Sequence, residues 1–275
     1  MQLTQINLFP IKSLGGISLQ EAVVERRGLQ YDRRWMLVDD TGRFVSQREI
    51  PEMALLRTAI APPFLEVYHK DDPSDVVRIP LTIQATDYPK IMVEVWSDRC
   101  AARLLDEAIH QWFSRVLKQL VRLVYMPDTT NRRADGRYAP YGQVVSFADG
   151  FPYLIIGETT LADLNSRLET PVPMNRFRPN LVFSGGEPYE EDNWSDFTIG
   201  DIPFRGVKPC GRCVMITVNQ ESADKAQEPL RTLSAYRKNG NKVLFGQNVI
   251  WLGNEPAVIR VGDIIRPDRN PPPGS

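Results

Sequence analysis

The amino-acid sequence predicts a mainly β protein with a few helices, an α+β fold. Three observations carry this. The first 97 or so residues are cut into short runs rich in β-branched and aromatic residues, separated by turn chemistry. Helical periodicity is confined to three short stretches. Strand-like runs return between those stretches and continue to the last apolar segment.

Taken in order, Ile6-Asn7-Leu8-Phe9, Glu21-Ala22-Val23-Val24 and Trp35-Met36-Leu37-Val38 read as strands. The last is followed by Asp39-Asp40-Thr41-Gly42 and then Arg43-Phe44-Val45-Ser46, a hairpin joined by turn residues. A second hairpin is expected around Asp71-Asp72-Pro73-Ser74, between Leu65–Tyr68 and Val76–Ile79. Strands this short and closely spaced suggest a small barrel or sandwich. From Asp98 the period changes: Leu104, Leu105, Ala108, Ile109, Trp112, Phe113, Val116 and Leu117 predict one amphipathic helix capped by Ser97 or Asp98. A short helix follows Thr159-Thr160, with Leu161, Leu164 and Leu168 on one face. Another spans Pro229 to Arg237, with Leu230, Leu233 and Tyr236 inward. Leu181–Phe183, Val214–Val218, Val249–Trp251 and Val258–Val261 read as strands. A boundary near residues 97–115 therefore divides 1–97 from 98–267, and a Pro-rich, linker-like tail occupies 268–275.

Composition narrows the function. The 275 residues carry 33 basic and 34 acidic side chains, a formal charge of −1, with 42% hydrophobic and 24% charged residues. These are globular values. The neutral balance argues against a nucleic-acid partner, which needs a basic face. No window approaches the roughly 18 apolar residues of a membrane span, so no membrane partner is expected. Met1-Gln2-Leu3-Thr4-Gln5 lacks the layout of a secretion signal, and three cysteines are unlike a secreted disulfide framework. A soluble, cytoplasmic chain is expected.

Absences also guide the search for chemistry. His69 and His110 have no companions at metal-ligand spacing and read as structural. Gly-x-Ser-x-Gly, Walker A and Gly-x-Gly-x-x-Gly motifs are missing. The informative stretch is Lys208-Pro209-Cys210-Gly211-Arg212-Cys213, which runs into Val214-Met215-Ile216. Zinc would need further ligands, and only Cys100 and scattered carboxylates remain. A thioredoxin-type pair should open a helix, whereas this one precedes an expected strand. On spacing alone the pair reads equally well as two buried thiols without chemistry. Lys208 and Arg212 tip the balance toward a thiolate, which binds a soft metal. A second group is basic and sits at strand ends: Lys12-Ser13 before Gly15-Gly16, Arg33-Arg34, and Arg176-Phe177-Arg178-Pro179-Asn180. Singly these are solvated surface; together they suit a phosphate-bearing ligand held by bidentate arginines.

These segments, with Phe9-Pro10-Ile11-Lys12-Ser13, Asp32-Arg33-Arg34-Trp35, Leu244-Phe245-Gly246-Gln247-Asn248 and Val261-Gly262-Asp263, resemble the MOSC proteins that carry an N-terminal MOSC-type β-barrel domain. That family includes the mitochondrial amidoxime-reducing components and the bacterial YcbX-type proteins. The resemblance runs from about residue 2 to residue 267, in the family's order. It implies two β-barrel domains and a molybdenum cofactor, a molybdopterin with a dithiolene and a terminal phosphate. It further implies that Cys213 is the ligand to molybdenum, and that Lys12, Ser13, Arg33, Arg178 and Arg212 hold the pterin and phosphate. Asn180, Gln247, Asn248 and Asp149 sit in or beside matching motifs.

The chain departs from the mitochondrial members at Gly211, where they have serine, and at Asn248, where they have tyrosine. YcbX-type proteins continue into a two-iron, two-sulfur domain, and the three cysteines here cannot supply its four ligands. The expected function is reduction of N-hydroxylated compounds, with electrons from a separate ferredoxin- or flavin-type donor. The alternatives are a sulfur-transfer protein using a Cys213 persulfide, or a carrier of the cofactor without turnover.

Overall fold

The computed structural model describes residues 1–268 except Ala85 and Tyr141; the expected tail lies outside the described residues from 269 onward. In chain order the first elements are β1 (Gln2–Leu8), β2 (Ile17–Leu19), β3 (Glu21–Glu25), β4 (Gly28–Leu29) and β5 (Trp35–Val38). They are followed by β6 (Leu56–Ala61), β7 (Phe64–His69), β8 (Asp72–Pro80), β9 (Lys90–Val95) and β10 (Asp98–Leu104). Next come α1 (Glu107–Leu117), β11 (Arg122–Tyr125), β12 (Tyr153–Gly157), α2 (Glu158–Asn165), β13 (Leu181–Ser184), β14 (Asp196–Ile199) and β15 (Ile202–Arg212). The chain closes with α3 (Leu230–Tyr236), β16 (Lys238–Asn239), β17 (Lys242–Trp251), β18 (Ala257–Arg260) and β19 (Ile265–Pro267).

The largest sheet runs β19-β14-β15-β17-β12-β13-β1-β2, with β16 beside β17. A bridge between Gln2 and Ile264 brings β1 back to the start of β19, so the sheet closes on itself. Its pairs are antiparallel except β12 with β13, which α2 connects as a crossover must. Smaller sheets are β5-β11-β10-β9, β6-β7-β8 and β18-β3-β4. The opening strands thus pair far along the chain: β1 with β13, and β3 with β18. No helix among the described residues is long and apolar enough to cross a membrane.

The unbroken apolar run of β5 has a simple cause. Trp35 and Leu37 face one core, with Phe113, Leu123 and Tyr125, while Met36 and Val38 face another, with Val93, Cys100 and Phe147. A strand buried on both faces loses its alternation.

Two expectations require correction. The helix does not begin at Asp98: residues 98–104 form β10, paired with β9, and α1 starts at Glu107 with Asp106 at its N-cap position. Cys100 and Ala102 alternate into the core beside Val93 and Val95, a period of two. The helical stripe finds a core to face only with Ile109, Trp112, Phe113 and Leu117. Val214–Thr217 is a single-turn 3-10 helix, not a strand. β15 parts from β17 after Arg212, so the β-branched run that follows has no partner edge. The helices near Thr159 and Pro229 form as expected. The second hairpin forms as well, but its turn is Lys70-Asp71: Asp72-Pro73-Ser74, expected in the turn, open β8, where Asp72 pairs with His69. The hairpin after Val38 reduces to one bridge, Val38 with Phe44, because Arg43 turns to pair with Glu94.

Candidate functional site

Backbone hydrogen bonds knit three loops together. Arg33 N donates to Phe9 O, Lys12 N to Trp35 O, and Phe147 N to Arg33 O. A fourth loop joins through Asn7 N to Asn180 O and Asn180 N to Leu154 O. Over them opens a cleft. Nine of the ten expected side chains line it: Lys12, Ser13, Arg33, Asp149, Arg178, Asn180, Arg212, Cys213 and Asn248. Gln247 does not. It precedes Asn248 on β17 and so points to the opposite face, where it is buried with Oε1 unpartnered.

The cationic wall is graded by partner. Arg33 is locked: Nη1 donates to Asp32 Oδ2 (2.5 Å) and Asn180 Oδ1 (3.0 Å), and Nη2 to Arg178 O (3.2 Å). Arg212 donates from Nη2 to Phe177 O (2.7 Å) and from Nη1 to Cys210 Sγ (3.2 Å), while its buried Nε has no partner. Arg178 is 5% exposed and lies 4.3 Å over the Phe9 ring, and among the described residues its guanidinium has neither an ion pair nor a hydrogen bond. Burial first, then the charges of Arg33 and Arg212, push it down to about 9.

Lys12, also buried, donates to Phe147 O (2.8 Å) and Asp149 Oδ1 (2.5 Å). Burial lowers the Lys12 ammonium from its ordinary value, against the pull of Asp149. For Asp149 burial acts the other way, and the charge and hydrogen bond of Lys12, with Trp96 Nε1 at 3.1 Å, more than reverse it. Its carboxyl is held well below the usual range although the side chain is 62% exposed to the cleft. Five cations line the cleft, Lys12, Arg33, Arg48, Arg178 and Arg212; against them stand Asp149 on the wall and Asp32 behind Arg33, which leaves three positive charges uncompensated.

The backbone is shaped for this site. Ser13 (φ 67°), Arg33 (φ 48°), Trp96 (φ 58°) and Arg178 (φ 55°) all adopt left-handed conformations. Such conformations cost on the order of 1 kcal/mol or more each and persist where the surroundings impose them.

The two cysteines differ. Cys210 is half-buried at the end of β15, whereas Cys213 is exposed and precedes the 3-10 turn. Arg212 contacts Cys210, and Lys208 Nζ lies 4.3 Å over the Tyr138 ring, which corrects the expectation that both cations flank the thiols together. Arg34 and Arg176 lie outside the cleft lining and are spent on Met126 O, Asp128, Ile216 O and Glu228 O. His110 contacts Leu123 O, and His69 accepts from Asp71 N.

Sequence reasoning did not nominate Arg48, Trp96 and Phe44, which line the cleft, or Arg132. Buried Arg132 donates to Ser146 O, Ala148 O and Asp149 O and so holds the loop that presents Asp149. No spacing in the sequence marks these residues. Chemically, the open donors of Arg178 and Arg212 suit a ligand with anionic oxygens, and the exposed Cys213 thiol of the same cleft suits a soft metal.

Two family models match the chain, the MOSC N-terminal beta barrel domain over residues 1–120 and the MOSC domain over residues 142–266. Mitochondrial amidoxime-reducing component 1 of Mus musculus is 34% identical over 280 residues, covering 94% of this chain and 80% of that protein. Its Homo sapiens counterpart is 33% identical over 281 residues with the same coverage. The molybdenum cofactor sulfurase of Oryza sativa subsp. japonica is 32% identical over 264 residues, 90% of this chain. The chain spans about a third of that sulfurase's length. With both domains matched in order and one cleft lined from each, the chain belongs to the MOSC family, in the form that carries the N-terminal β-barrel domain ahead of the MOSC domain.

Proposed function

We propose that this protein is a molybdenum-cofactor-dependent reductase of N-hydroxylated compounds, among them hydroxylamines, amidoximes and hydroxylated purine analogues, served by a separate ferredoxin- or flavin-type electron donor. One observation carries the reading: a buried Arg178, unpartnered among the described residues, stands in a cleft with surplus positive charge, and an exposed Cys213 shares that cleft. A cleft built this way loses stability until an anion enters it. The kinship with amidoxime-reducing components, over four fifths of their length, supports the same reading.

The residues present fit a molybdopterin. Arg178, Arg212, Arg33 and Lys12 would hold its phosphate and pterin, with Ser13 and Asn248 beside them, and Cys213 would ligate the metal. When bound, that group supplies the two-electron chemistry that takes oxygen from an N–OH group. The chain's own residues bind and orient. Asn180 and Asp32 fix the Arg33 guanidinium, and Arg132 fixes the loop bearing Asp149. At neutral pH the proton of the Lys12–Asp149 pair stays on Lys12 Nζ, because the Asp149 carboxyl is held so low. Asp149 therefore offers an acceptor to a substrate N–H or O–H, while Phe44, Trp96 and Phe151 displace water from the cleft wall.

The test is metal analysis and turnover on protein purified from a cofactor-competent host. Molybdenum equimolar with the chain, together with hydroxylamine reduction by an artificial donor, supports the reductase. Molybdenum without turnover indicates a cofactor carrier. A metal-free chain bearing a persulfide on Cys213 indicates sulfur transfer, for which the cationic wall has no use.

A further inference from the structure

Trp96 is out of place by every local rule. It occupies the first central position of the two-residue turn between β9 and β10, where Val95 pairs with Asp98. Its φ is +58°, a conformation that such turns assign to glycine and that a bulky side chain rarely adopts. Packing does not explain it, since the residue is 44% exposed. What the strained backbone does is aim the indole along the cleft wall. Nε1 donates to Asp149 Oδ1 (3.1 Å), the ring lies 5.1 Å from Phe44, and the Arg48 guanidinium sits 4.3 Å from the ring. Arg48 has no ion pair among the described residues; its Nε reaches only Ser46 Oγ, at 3.3 Å. Two flat groups, the Trp96 indole and the Arg48 guanidinium, are thus held together on the cleft wall.

We infer that Trp96, with Arg48 laid against it, is a stacking platform that selects flat aromatic N-hydroxylated compounds over small aliphatic ones. Resting on the reductase reading above, this assigns a specificity-determining surface to the same cleft. A delocalised ring gains dispersion and cation–π attraction from an indole–guanidinium pair, whereas a methyl-sized substituent covers little of it. The nearby Asp149 carboxylate would then meet the N–H or O–H edge of the stacked compound.

The test compares wild type, Trp96→Gly and Trp96→Phe in the full chain. Glycine accepts the turn's backbone and removes the platform; phenylalanine keeps a ring but loses the hydrogen bond to Asp149. Binding of adenine, the flat product of a hydroxylaminopurine, is measured by calorimetry. Affinity is expected to fall about tenfold in Trp96→Gly, the scale of one ring-on-base stack, and to stay within about threefold in Trp96→Phe. With cofactor-loaded protein, the ratio of kcat/KM for the hydroxylaminopurine over N-methylhydroxylamine should fall by a similar factor in Trp96→Gly alone. Equal adenine affinity in all three proteins overturns the platform, and so does an equal loss in both variants, which would make the indole a positioning residue for Asp149. Wild type that reduces neither compound speaks against the reductase, and the adenine measurement still decides the platform.

Discussion

Replacing Arg178 by methionine should stabilise the anion-free protein and weaken its hold on phosphate. The perturbation is narrow. Methionine keeps an unbranched stem over the Phe9 ring and removes a guanidinium that has no protein partner among the described residues. Burial and the neighbouring guanidiniums push that group from 12.5 to about 9. Each factor of ten in proton affinity is worth about 1.4 kcal/mol, so the cost of keeping Arg178 charged is a few kcal/mol as an upper bound. Water in the open cleft screens part of it, and about 1–2 kcal/mol should appear in practice. The sign follows from linkage. Below about 9 both folded and unfolded chains carry the charge, so the cost is fully present at neutral pH, and it is relieved only as pH rises through the folded value. The assay is thermal unfolding in an anion-poor buffer and again with pyrophosphate, with circular dichroism as the check on fold. Tm of Arg178→Met should exceed wild type by a few degrees without pyrophosphate, at about 2–4 °C per kcal/mol. Pyrophosphate should raise the wild-type Tm more, because losing charge-assisted bonds costs about 1.5–3 kcal/mol, one to two decades of affinity. A lower Tm for the variant in anion-poor buffer, or an equal response to pyrophosphate, would refute the argument that Arg178 waits for an anion.

Cys213→Ser should abolish hydroxylamine reduction and Cys210→Ser should leave much of it, since Cys213 is exposed while Cys210 is engaged by Arg212; the reverse pattern would reassign the ligand. The protein should be inert with NADH alone and active with an artificial one-electron donor, and its rate with a protein donor should fall as salt screens the encounter. Mediator-free turnover with NADH would disprove this. Asp149→Asn should destabilise the chain by about 1–3 kcal/mol, by leaving buried Lys12 without its counter-charge. The depressed Asp149 carboxyl contributes stability above the ordinary carboxylate range that is lost only as pH falls through its much lower folded value, so the gap between variant and wild type should persist in mildly acidic buffer and close only in strong acid.

Much of this protein is written locally. The strands β1, β3, β5, β13 and β18, both short helices and the hairpin near Asp71 follow from runs of β-branched residues, turn residues and a helical stripe, because each depends on neighbours a few positions away. The basic strand ends and the Cys210–Cys213 pair were legible in the same way, as residue types at fixed spacing. Local reasoning failed where pairing decided the outcome. Asp98–Leu104 became a strand because β9 offered it an edge, and Val214–Thr217 became a 3-10 turn because β17 had turned away. Adjacent positions on one strand were separated too, Asn248 into the cleft and Gln247 away from it.

Tertiary structure alone decided which charges are satisfied. Arg33 and Arg178 look alike in sequence, yet one is locked by Asp32 and Asn180 and the other has no hydrogen-bond or ion-pair partner among the described residues. Asp149 and Lys12 are 137 positions apart and meet at 2.5 Å only because backbone bonds tie the loop after Leu8 to Arg33, Trp35 and Phe147. Trp96 and Arg48 reach the cleft by a hairpin tip and a turn that no local pattern links to it. The amino-acid sequence by itself determined what kinds of groups the cleft would hold. Their burial, pairing and strain, and with them the surplus charge that calls for an anion, arise from long-range contacts that exist only in the folded chain.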